Sequence, residues 1–531
     1  MNMKRRWLLG SIAAIPMVRL ARGAVAHRLT VLHMNDFHSR HEPVDGRALA
    51  CKPGARPDCF GGAARLATAL FAERAAAEAA GRTVLLVDAG DQFQGSLFFT
   101  AWHGEVERAV MHVLGTEVMT VGNHEFDNGP APLAKFVAGA KFPVLSANVD
   151  ASADPDLAGL LKPSVTLNKD GLSIGIVGVT TLQTPTTSSP GPTIKFTDPA
   201  AALAEQAKAV RASGAKLVIA LSHLGWDIDQ TLAGHVPGVD VYVGGHTHTL
   251  LSDSEAGAAG PAHAAFDGPA GRAVVVQAAC YGRYFGRLDL DVADDGTVLA
   301  MGGDTRHVGL DLPEHPQVAA IVSGYAAELD KVRRRVVGTA PAAVDVTDCR
   351  TGECAFGSFI ADTLLHSVQG ADVAIMNGGG TRTGLPGGTI TLGDVLNALP
   401  FGNTVATLQL RGVDLRAALA HGVSRAGQGS FPQVAGLRYS WNPDAPPTQR
   451  LLSVEIAQPD GSFLPLDETR LYRVVTNNYM RSGGDGYVVM RDRAIDPYDS
   501  GPGLDVVVSE AIAASGAFAP VTHGRIIQTK G

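Results

Sequence analysis

Surplus positive charge is absent: 44 lysines and arginines face 52 aspartates and glutamates, a formal net charge of −8. Five of the basic residues, Lys4, Arg5, Arg6, Arg19 and Arg22, fall in the first 26 positions, which hold no acid; the other 39 against 52 leave −13. Such a chain repels a phosphate backbone, because binding to polymeric nucleic acid depends on Lys and Arg releasing counterions. Polymeric nucleic acid is therefore excluded as a partner. Missing beyond the first 26 residues is any uncharged apolar run of the roughly 20 residues a bilayer span needs, so no stable membrane span is expected. Low-complexity tracts and internal repeats are missing as well, and 45% hydrophobic with 18% charged residues is the balance of a folded protein.

What is present starts with length. At 531 residues the chain exceeds the roughly 250–300 that one hydrophobic core serves, so at least two domains are expected. Glycine (62) and proline (30) favour many tight connections between short elements. The opening MNMKRRWLLGSIAAIPMVRLARGAVA combines a cationic start, an apolar stretch from Trp7 to Val18, and Ala24-Val25-Ala26 as a small-residue cleavage site, the pattern of an export signal over 1–26. Arg5-Arg6 before Trp-Leu-Leu resembles a twin-arginine signal, with the general secretory route the alternative. A periplasmic or secreted location follows. Cysteine is sparse, falling as two close pairs, Cys51 with Cys59 and Cys349 with Cys354, plus Cys280 alone. In an exported chain such pairs read as disulfides, since neither has further thiolates or imidazoles nearby to complete a metal site. Cys280, in the run AVVVQAACYG, reads as a buried inert thiol.

From residue 29 to about 285, short β-branched runs alternate with helical patterns: LTVLHMND, TVLLVDAGD, VMTVGNHE, FPVLSANV, LSIGIVGVTT, KLVIALSHLG, VDVYVGGHTH and AVVVQAACYG. This is the βαβ rhythm of a layered α/β protein. One intervening helix is fully punctuated, with Asp198 as cap, Pro199 in the first position and Gly214 as terminator. Residues 253–271, rich in Ala, Gly and Pro, read as a surface loop. From Pro316 to Gly338, Val318, Ile321, Val322, Tyr325, Leu329, Val332 and Val336 recur at helical spacing, and this helix is expected to join the domains. Strand patterns DVAIMN, TVATLQLRG and YRVVTNN then alternate with helices near 357–368, 392–399 and 413–425, the makings of a second α/β domain.

Polar residues collect at the carboxyl ends of the amino-terminal strands. HMNDFH supplies Asp36 and His38, DAGDQ supplies Asp91, and GNHEFD supplies Asn123, His124 and Asp127; SHLGW adds His223, and GGHTH adds His246 and His248. Open α/β sheets place ligands outside the carboxyl ends of their strands, so these side chains can converge. Any one of them alone reads as a turn or core residue; five separate strands ending in metal-competent groups read as a site. The mixture of imidazole nitrogen with carboxylate and amide oxygen departs from the four-ligand, thiolate-containing pattern of structural zinc. It fits two cations roughly 3.5–4 Å apart, bridged by a carboxylate, for which Asp91 is suited, with a bound water acidified to hydroxide. The donor set suits zinc, manganese, iron or cobalt. Residues three apart at a helix start share a face, so Asp127 can orient the His124 imidazole toward developing negative charge; Asp127 as a helix cap and His124 as another ligand is the alternative. Asp88 reads as a supporting or structural residue.

NDFHSR, DAGDQFQG, GNHEFD, SHLG and GGHTH, in this order, resemble the calcineurin-type metallophosphoesterases, and the whole chain after the signal is similar to the 5′-nucleotidase family, both bacterial periplasmic 5′-nucleotidase/UDP-sugar hydrolases and animal ecto-5′-nucleotidases. The resemblance implies a four-layer sandwich, two sheets flanked by helices, over 27–312, a linker helix over 313–338, and a second α/β domain, the substrate-binding one, over 339–531. It implies that Asp36, His38, Asp91 and His248 hold one metal and Asp91, Asn123, His223 and His246 the other, with His124 and Asp127 as a catalytic dyad.

In the carboxyl-terminal half, NGGGTR (377–382) sets three glycines between two polar groups, where backbone approaches a ligand closely or simply turns; it lacks the lysine and spacing of a P-loop. LPFGN supplies Phe401, and NYMRSGGDGY supplies Tyr479 and Asp485. Two rings can sandwich a base, and a carboxylate suits ribose hydroxyls; as isolated residues the rings read as core aromatics. The resemblance implies that Phe401, Tyr479, Asp485, Asn377, Arg382 and Arg350 bind substrate, with Tyr479 standing where phenylalanine is common. The expected activity is removal of the 5′-phosphate of nucleotides by a metal-bound hydroxide. The alternatives are UDP-sugar or cyclic-nucleotide hydrolysis, the related thiosulfohydrolase chemistry, and a secreted nucleotide-binding protein without catalysis.

Overall fold

A computed structural model describes residues 17–44, 51, 59–188 and 190–529. The cationic start and most of the apolar stretch of the expected export signal lie outside the described residues. So does the whole segment between Cys51 and Cys59.

Strands in the first half alternate their side chains between two apolar environments. Leu29 and Val31 of the strand His27–Met34, with Leu85 and Val87 of Thr83–Asp88, point inward to meet Ile174, Ile176, Ile219, Leu221 and Val241 from a second sheet. Their neighbours Leu32 and Leu86 point outward under the helices Ala63–Ala79 and Pro316–Ala326, contributing Leu66, Leu70 and Val318. On the far side, Val177, Val218 and Ala220 pack beneath Leu203, Ala207 and Val210 of Pro199–Ala212. Helix, sheet, sheet and helix thus make the four expected layers. Asp198 caps the last helix, accepting from the amides of Ala200 and Ala201.

The first sheet has seven strands, ordered Val18–Arg19, Val298–His307, Tyr284–Val292, His27–Met34, Thr83–Asp88, Val118–Thr120 and Val144–Leu145. The second has six, ordered Ala264–Gly268, Gly271–Val276, Val241–Gly244, Leu217–His223, Leu172–Thr180 and Ser164–Lys169. Parallel registers bring strand ends flush: Met34 faces Asp88, Asp88 faces Met119, and His223 faces Thr180. Loops leaving the two sheets therefore meet along one edge.

Two expectations need correction. Part of the segment read as a surface loop, Ala264–Gly268, is an edge strand that forms a tight hairpin with Gly271–Val276; its Ala/Gly composition carries no alternation, so backbone pairing decides its state. The residues read as one helix over 316–338 form two, Pro316–Ala326 and Leu329–Arg333, and then the strand Val336–Ala340. Val336 pairs with Thr391, so sheet pairing overrides the helical spacing there. Val18 and Arg19, within the segment expected to be an export signal, add a two-residue edge to the first sheet.

The second half is built around a five-stranded sheet, ordered Pro432–Ala435, Val373–Asn377, Leu471–Asn477, Val405–Arg411 and Ile495–Tyr498. Ala355–Ser367 covers one face through Phe356, Ile360 and Leu364. Gly412–Ser424 covers the other through Leu415 and Leu419. The edge strand Ile495–Tyr498 is directed at the first domain. Both expected disulfides are formed, Cys51 with Cys59 and Cys349 with Cys354.

Candidate functional site

At the shared edge of the first two sheets, side chains from far-apart loops converge. Asp36, His38 and His248 form one group of ligand-capable atoms all within 4.8 Å of one another; Asp91, His223 and His246 form a second, and His38, Asp91 and His124 a third that joins them. His38 Nε2 lies 3.0 Å from His248 Nε2, which is 3.4 Å from Asp36 Oδ1, and His223 Nε2 lies 3.0 Å from Asp91 Oδ2. Asn123 joins through Oδ1, 2.9 Å from His246 Nδ1. All seven expected ligands are brought together.

The fit to divalent cations rests on these donors themselves. His38 Nδ1–H donates to the Phe93 carbonyl at 3.2 Å and His223 Nδ1–H to the Ala89 carbonyl at 2.6 Å, which fixes both rings with Nε2 turned into the site. His223 Nε2 is buried without an aligned hydrogen-bond partner. Two imidazole nitrogens face each other across 3.0 Å with a buried carboxylate beside them, an arrangement that a cation between them relieves. Burial pushes His38 well below its ordinary value and, with His223 beside it, pushes His246 to about 3, whereas the Asp91 and Asp36 carboxylates overcome burial and hold His223 up at about 10.

The backbone here is strained. Asp36 (φ 51°), His38 (51°), Asp91 (57°), His246 (74°) and His248 (55°) all occupy the left-handed region, which costs a non-glycine residue on the order of 1–3 kcal/mol. Gly122 gives the site its room: a Cβ there would fall 2.2 Å from Asp91 Oδ1. Holding the strained loop together is Glu125, which the sequence reading did not single out although it stands inside GNHEFD. Its buried carboxylate accepts from the amides of Gly122 (2.6 Å), Gln92 (2.8 Å), Asp91 (3.0 Å) and Phe93 (3.2 Å). Asp88 plays a similar part, accepting from the Gly90 amide and from Gln92 Nε2. Asn35 anchors the first loop by donating to Asp36 Oδ2 and to the Ala279 carbonyl.

His124 and Asp127 sit side by side, Nδ1 to Oδ2 2.7 Å apart, across one turn of the 3₁₀ helix His124–Phe126. Burial works against charging His124, but the carboxylates of Asp127 and Asp91 outweigh it and hold the imidazole up at about 9. Ser188 fixes the other Asp127 oxygen by donating to Oδ1 at 2.7 Å. The cap of the following helix is Gly129, so Asp127 serves the histidine and not the helix. Cys280 is buried as expected but not isolated: Arg283 donates to its Sγ at 3.3 Å, and His248 beside it draws its thiol below the usual value against the opposing effect of burial.

In the second domain, Asn377 Nδ2 donates to Asp485 Oδ2 at 2.8 Å, and the Tyr479 hydroxyl donates to Asp485 Oδ1 at 3.1 Å. Asn477 Nδ2 holds Asn377 Oδ1 at 2.9 Å. The Arg382 guanidinium lies over the Phe401 ring, 5.6 Å from its centre. Phe401 and Tyr479 are 38% and 45% exposed, which rules out the core-aromatic reading. Their loops are joined by the pair Asn478 N to Thr404 O and Thr404 N to Asn478 Oδ1. The glycines of NGGGTR make room for protein and not for ligand: a Cβ on Gly378 would fall 1.9 Å from the Cys349 carbonyl, and one on Gly379 2.5 Å from Gly429 Cα. That packing seats the disulfide loop, with exposed Arg350, at the same end of the sheet.

The two halves meet over the candidate metal ligands. Gln94 Nε2 donates to the Gly501 carbonyl at 3.2 Å, and Asn123 Nδ2 donates to the Tyr498 hydroxyl at 2.8 Å. A cleft of about 580 Å³ is lined by Gln94, Asp127 and Asn128 on one side and by Phe359, Asp362 and Glu510 on the other. Another of about 530 Å³ runs from Arg40 and Gln94 to Pro400 and Gly402, which flank Phe401. Tyr498 and Gln94 have no local sequence signal, because their partners are hundreds of positions away.

Comparison with known proteins agrees with this architecture. Residues 29–250 match the calcineurin-like phosphoesterase family, and residues 336–492 match the 5′-nucleotidase C-terminal domain. A 5′-nucleotidase from Diplobatis ommata is 34% identical over 531 aligned residues, covering 95% of this chain and 90% of its own. Among solved structures, a 5′-nucleotidase precursor from Thermus thermophilus is 36% identical with a TM-score of 0.59, covering 94% of this chain and 99% of its own. An NAD nucleotidase from Haemophilus influenzae is 26% identical with a TM-score of 0.84, covering 95% and 99%.

Proposed function

The chain belongs to the 5′-nucleotidase family, and from that premise we propose that it hydrolyses the 5′-phosphate of nucleotides to nucleoside and phosphate as a metal-dependent phosphoric ester hydrolase. The observation that carries this reading is the convergence of Asp36, His38, Asp91, His223, His246 and His248, from separate loops, on one strained and buried edge. With Asn123, these residues would hold two divalent ions; zinc, manganese, cobalt and iron all suit the donors. When bound, such ions polarise phosphoryl oxygens and acidify a water to serve as nucleophile.

The chain's own groups supply the rest. His124 has Nδ1 committed to Asp127, so Nε2 is the nitrogen that meets a phosphoryl oxygen, and its positive charge favours the transition state over the substrate. Phe401 and Tyr479 take the base between them, Asp485 and Asn377 take the ribose hydroxyls, and Arg350 and Arg382 add positive charge beside them. We place the catalytic domain at 27–312, the linker at 313–338 and the substrate domain at 339–531; the family matches cover 29–250 and 336–492, the second beginning at the strand Val336–Ala340. Two disulfides and the signal-like start support an exported protein. The test is an assay of chelated protein, restored with single divalent ions, against AMP, UDP-glucose and a cyclic nucleotide. Turnover of AMP that vanishes on chelation and returns with one of these ions is expected; metal-independent turnover, or none with any nucleotide, contradicts the reading. Cleavage of pyrophosphate-bearing nucleotides such as UDP-sugars is the second reading, favoured by the whole-chain likeness to the Haemophilus NAD nucleotidase.

A further inference from the structure

Tyr498 ends the edge strand Ile495–Tyr498 of the second domain, yet its side chain lies in the catalytic site of the first. Its hydroxyl accepts from Asn123 Nδ2 at 2.8 Å, lies 3.0 Å from His124 Nε2, and donates to the Ser500 carbonyl at 3.1 Å. Its ring stacks on His246, with centres 5.5 Å apart and planes at 26°. With His124 Nε2–H as donor, this hydroxyl accepts twice and donates once, which satisfies all of its hydrogen-bonding capacity. A phosphoryl oxygen that meets His124 Nε2, as the functional reading has it, takes one donor this hydroxyl occupies and comes within reach of the other, Asn123 Nδ2. It cannot share them with a hydroxyl already seated there.

We infer that Tyr498 is a specificity-determining residue: its hydroxyl holds the place of a phosphoryl oxygen on Asn123 and His124, and a phosphate carried by a nucleoside displaces it far more readily than a bare one. The inference rests on the functional reading above, and what it adds is the coupling between the two domains. Asp499, next in the chain, pairs through its carboxylate with Arg481, which closes the short helix Asn478–Arg481 that carries Tyr479. The Asp499 carbonyl accepts from the Thr404 hydroxyl, three residues from Phe401. The segment bearing Tyr498 is therefore fastened to both rings that grip a base. A base entering between those rings draws on this segment and loosens the seat of the tyrosine, so part of the stacking energy, about five- to 150-fold in affinity per ring, relieves the competition for a nucleotide alone. Inorganic phosphate or a sugar phosphate competes with the tyrosine unaided.

The experiment uses the full-length, metal-loaded protein and two variants. Tyr498→Phe keeps the ring and removes the hydroxyl, and Tyr498→Leu removes both. Calorimetry measures the Kd of inorganic phosphate, and steady-state kinetics measures kcat and KM for AMP and for ribose 5-phosphate. Two lost hydrogen bonds correspond to about a tenfold change. Both variants are expected to bind phosphate about tenfold more tightly and to lose about tenfold of the preference for AMP, through a lower KM for ribose 5-phosphate. Phosphate affinity and preference within twofold of the unmutated protein overturn the inference. So does a fall in kcat for AMP with weaker phosphate binding, which makes the hydroxyl a participant and not a competitor. If the unmutated protein fails to hydrolyse AMP, the functional reading itself falls; if it hydrolyses AMP and the variants behave like it, only the role of Tyr498 falls.

Discussion

At the scale of single residues, function and stability separate cleanly. Among the described residues, the ring nitrogens of His124 face Asp127 and Tyr498. His124→Ala is expected to keep the metal content and to lower kcat by about 10²–10³, checked by elemental analysis beside turnover. Glu125 is the converse case. It touches no ligand atom but holds four amides of the loops that carry Asp91 and Asn123, so Glu125→Gln is expected to weaken metal binding about 10- to 100-fold, measured by competition with a chelator. Asp229 reports on pH. Burial raises its carboxyl from 3.8 to about 8, with Ser222 and His223 only partly opposing. A raised folded-state value means that the stability is full below about pH 4 and is lost as pH climbs to about 8, because the unfolded chain releases the proton first. Asp229→Asn abolishes that loss. Its melting temperature is expected to rise relative to the unmutated protein between pH 4 and pH 8, and melts that stay parallel across this range contradict the assignment. Of these residues, His124 stood out in the sequence by its neighbours, whereas Glu125 and Asp229 required knowing which amides and which burial surround them.

At the scale of elements, the βα alternation was legible because strands buried on both faces must be continuous apolar runs, as in Leu217–His223. The helix Pro199–Ala212 was legible from cap to terminator because its ends are satisfied by its own flanking residues. Elements settled by pairing were not: Val336 fits a helical stripe but joins Thr391 in a ladder, and Ala264–Gly268 becomes a strand only against Gly271–Val276. The substrate elements are held from beneath by the Cys349–Cys354 loop, whose backbone presses on Gly378. Replacing both cysteines by serine is expected to raise KM for AMP while changing kcat little, because the metal edge is built by other elements. Phe401→Ala and Tyr479→Ala are each expected to raise KM about five- to 150-fold, from roughly 1–3 kcal/mol of stacking, with little change in the affinity for metal.

At the scale of the whole molecule, the catalytic groups and the rings lie on different domains, so turnover requires their relative placement to be right. Rotation about the 316–338 region is therefore proposed as the motion that brings them together. Solution scattering with and without nucleotide is expected to give two envelopes; a single one under both conditions contradicts rotation. The sequence by itself determined the layered α/β architecture and named the seven candidate ligands and the His124–Asp127 pair that the fold brings together, because each is written in local periodicity or in short motifs at strand ends. Only the tertiary structure decided that Glu125 braces those loops, that the NGGGTR glycines yield to the protein's own backbone, and that Tyr498 crosses between domains to reach His124. Those contacts join residues as many as 374 positions apart, and no local pattern records which distant surface a side chain will meet once the chain has closed.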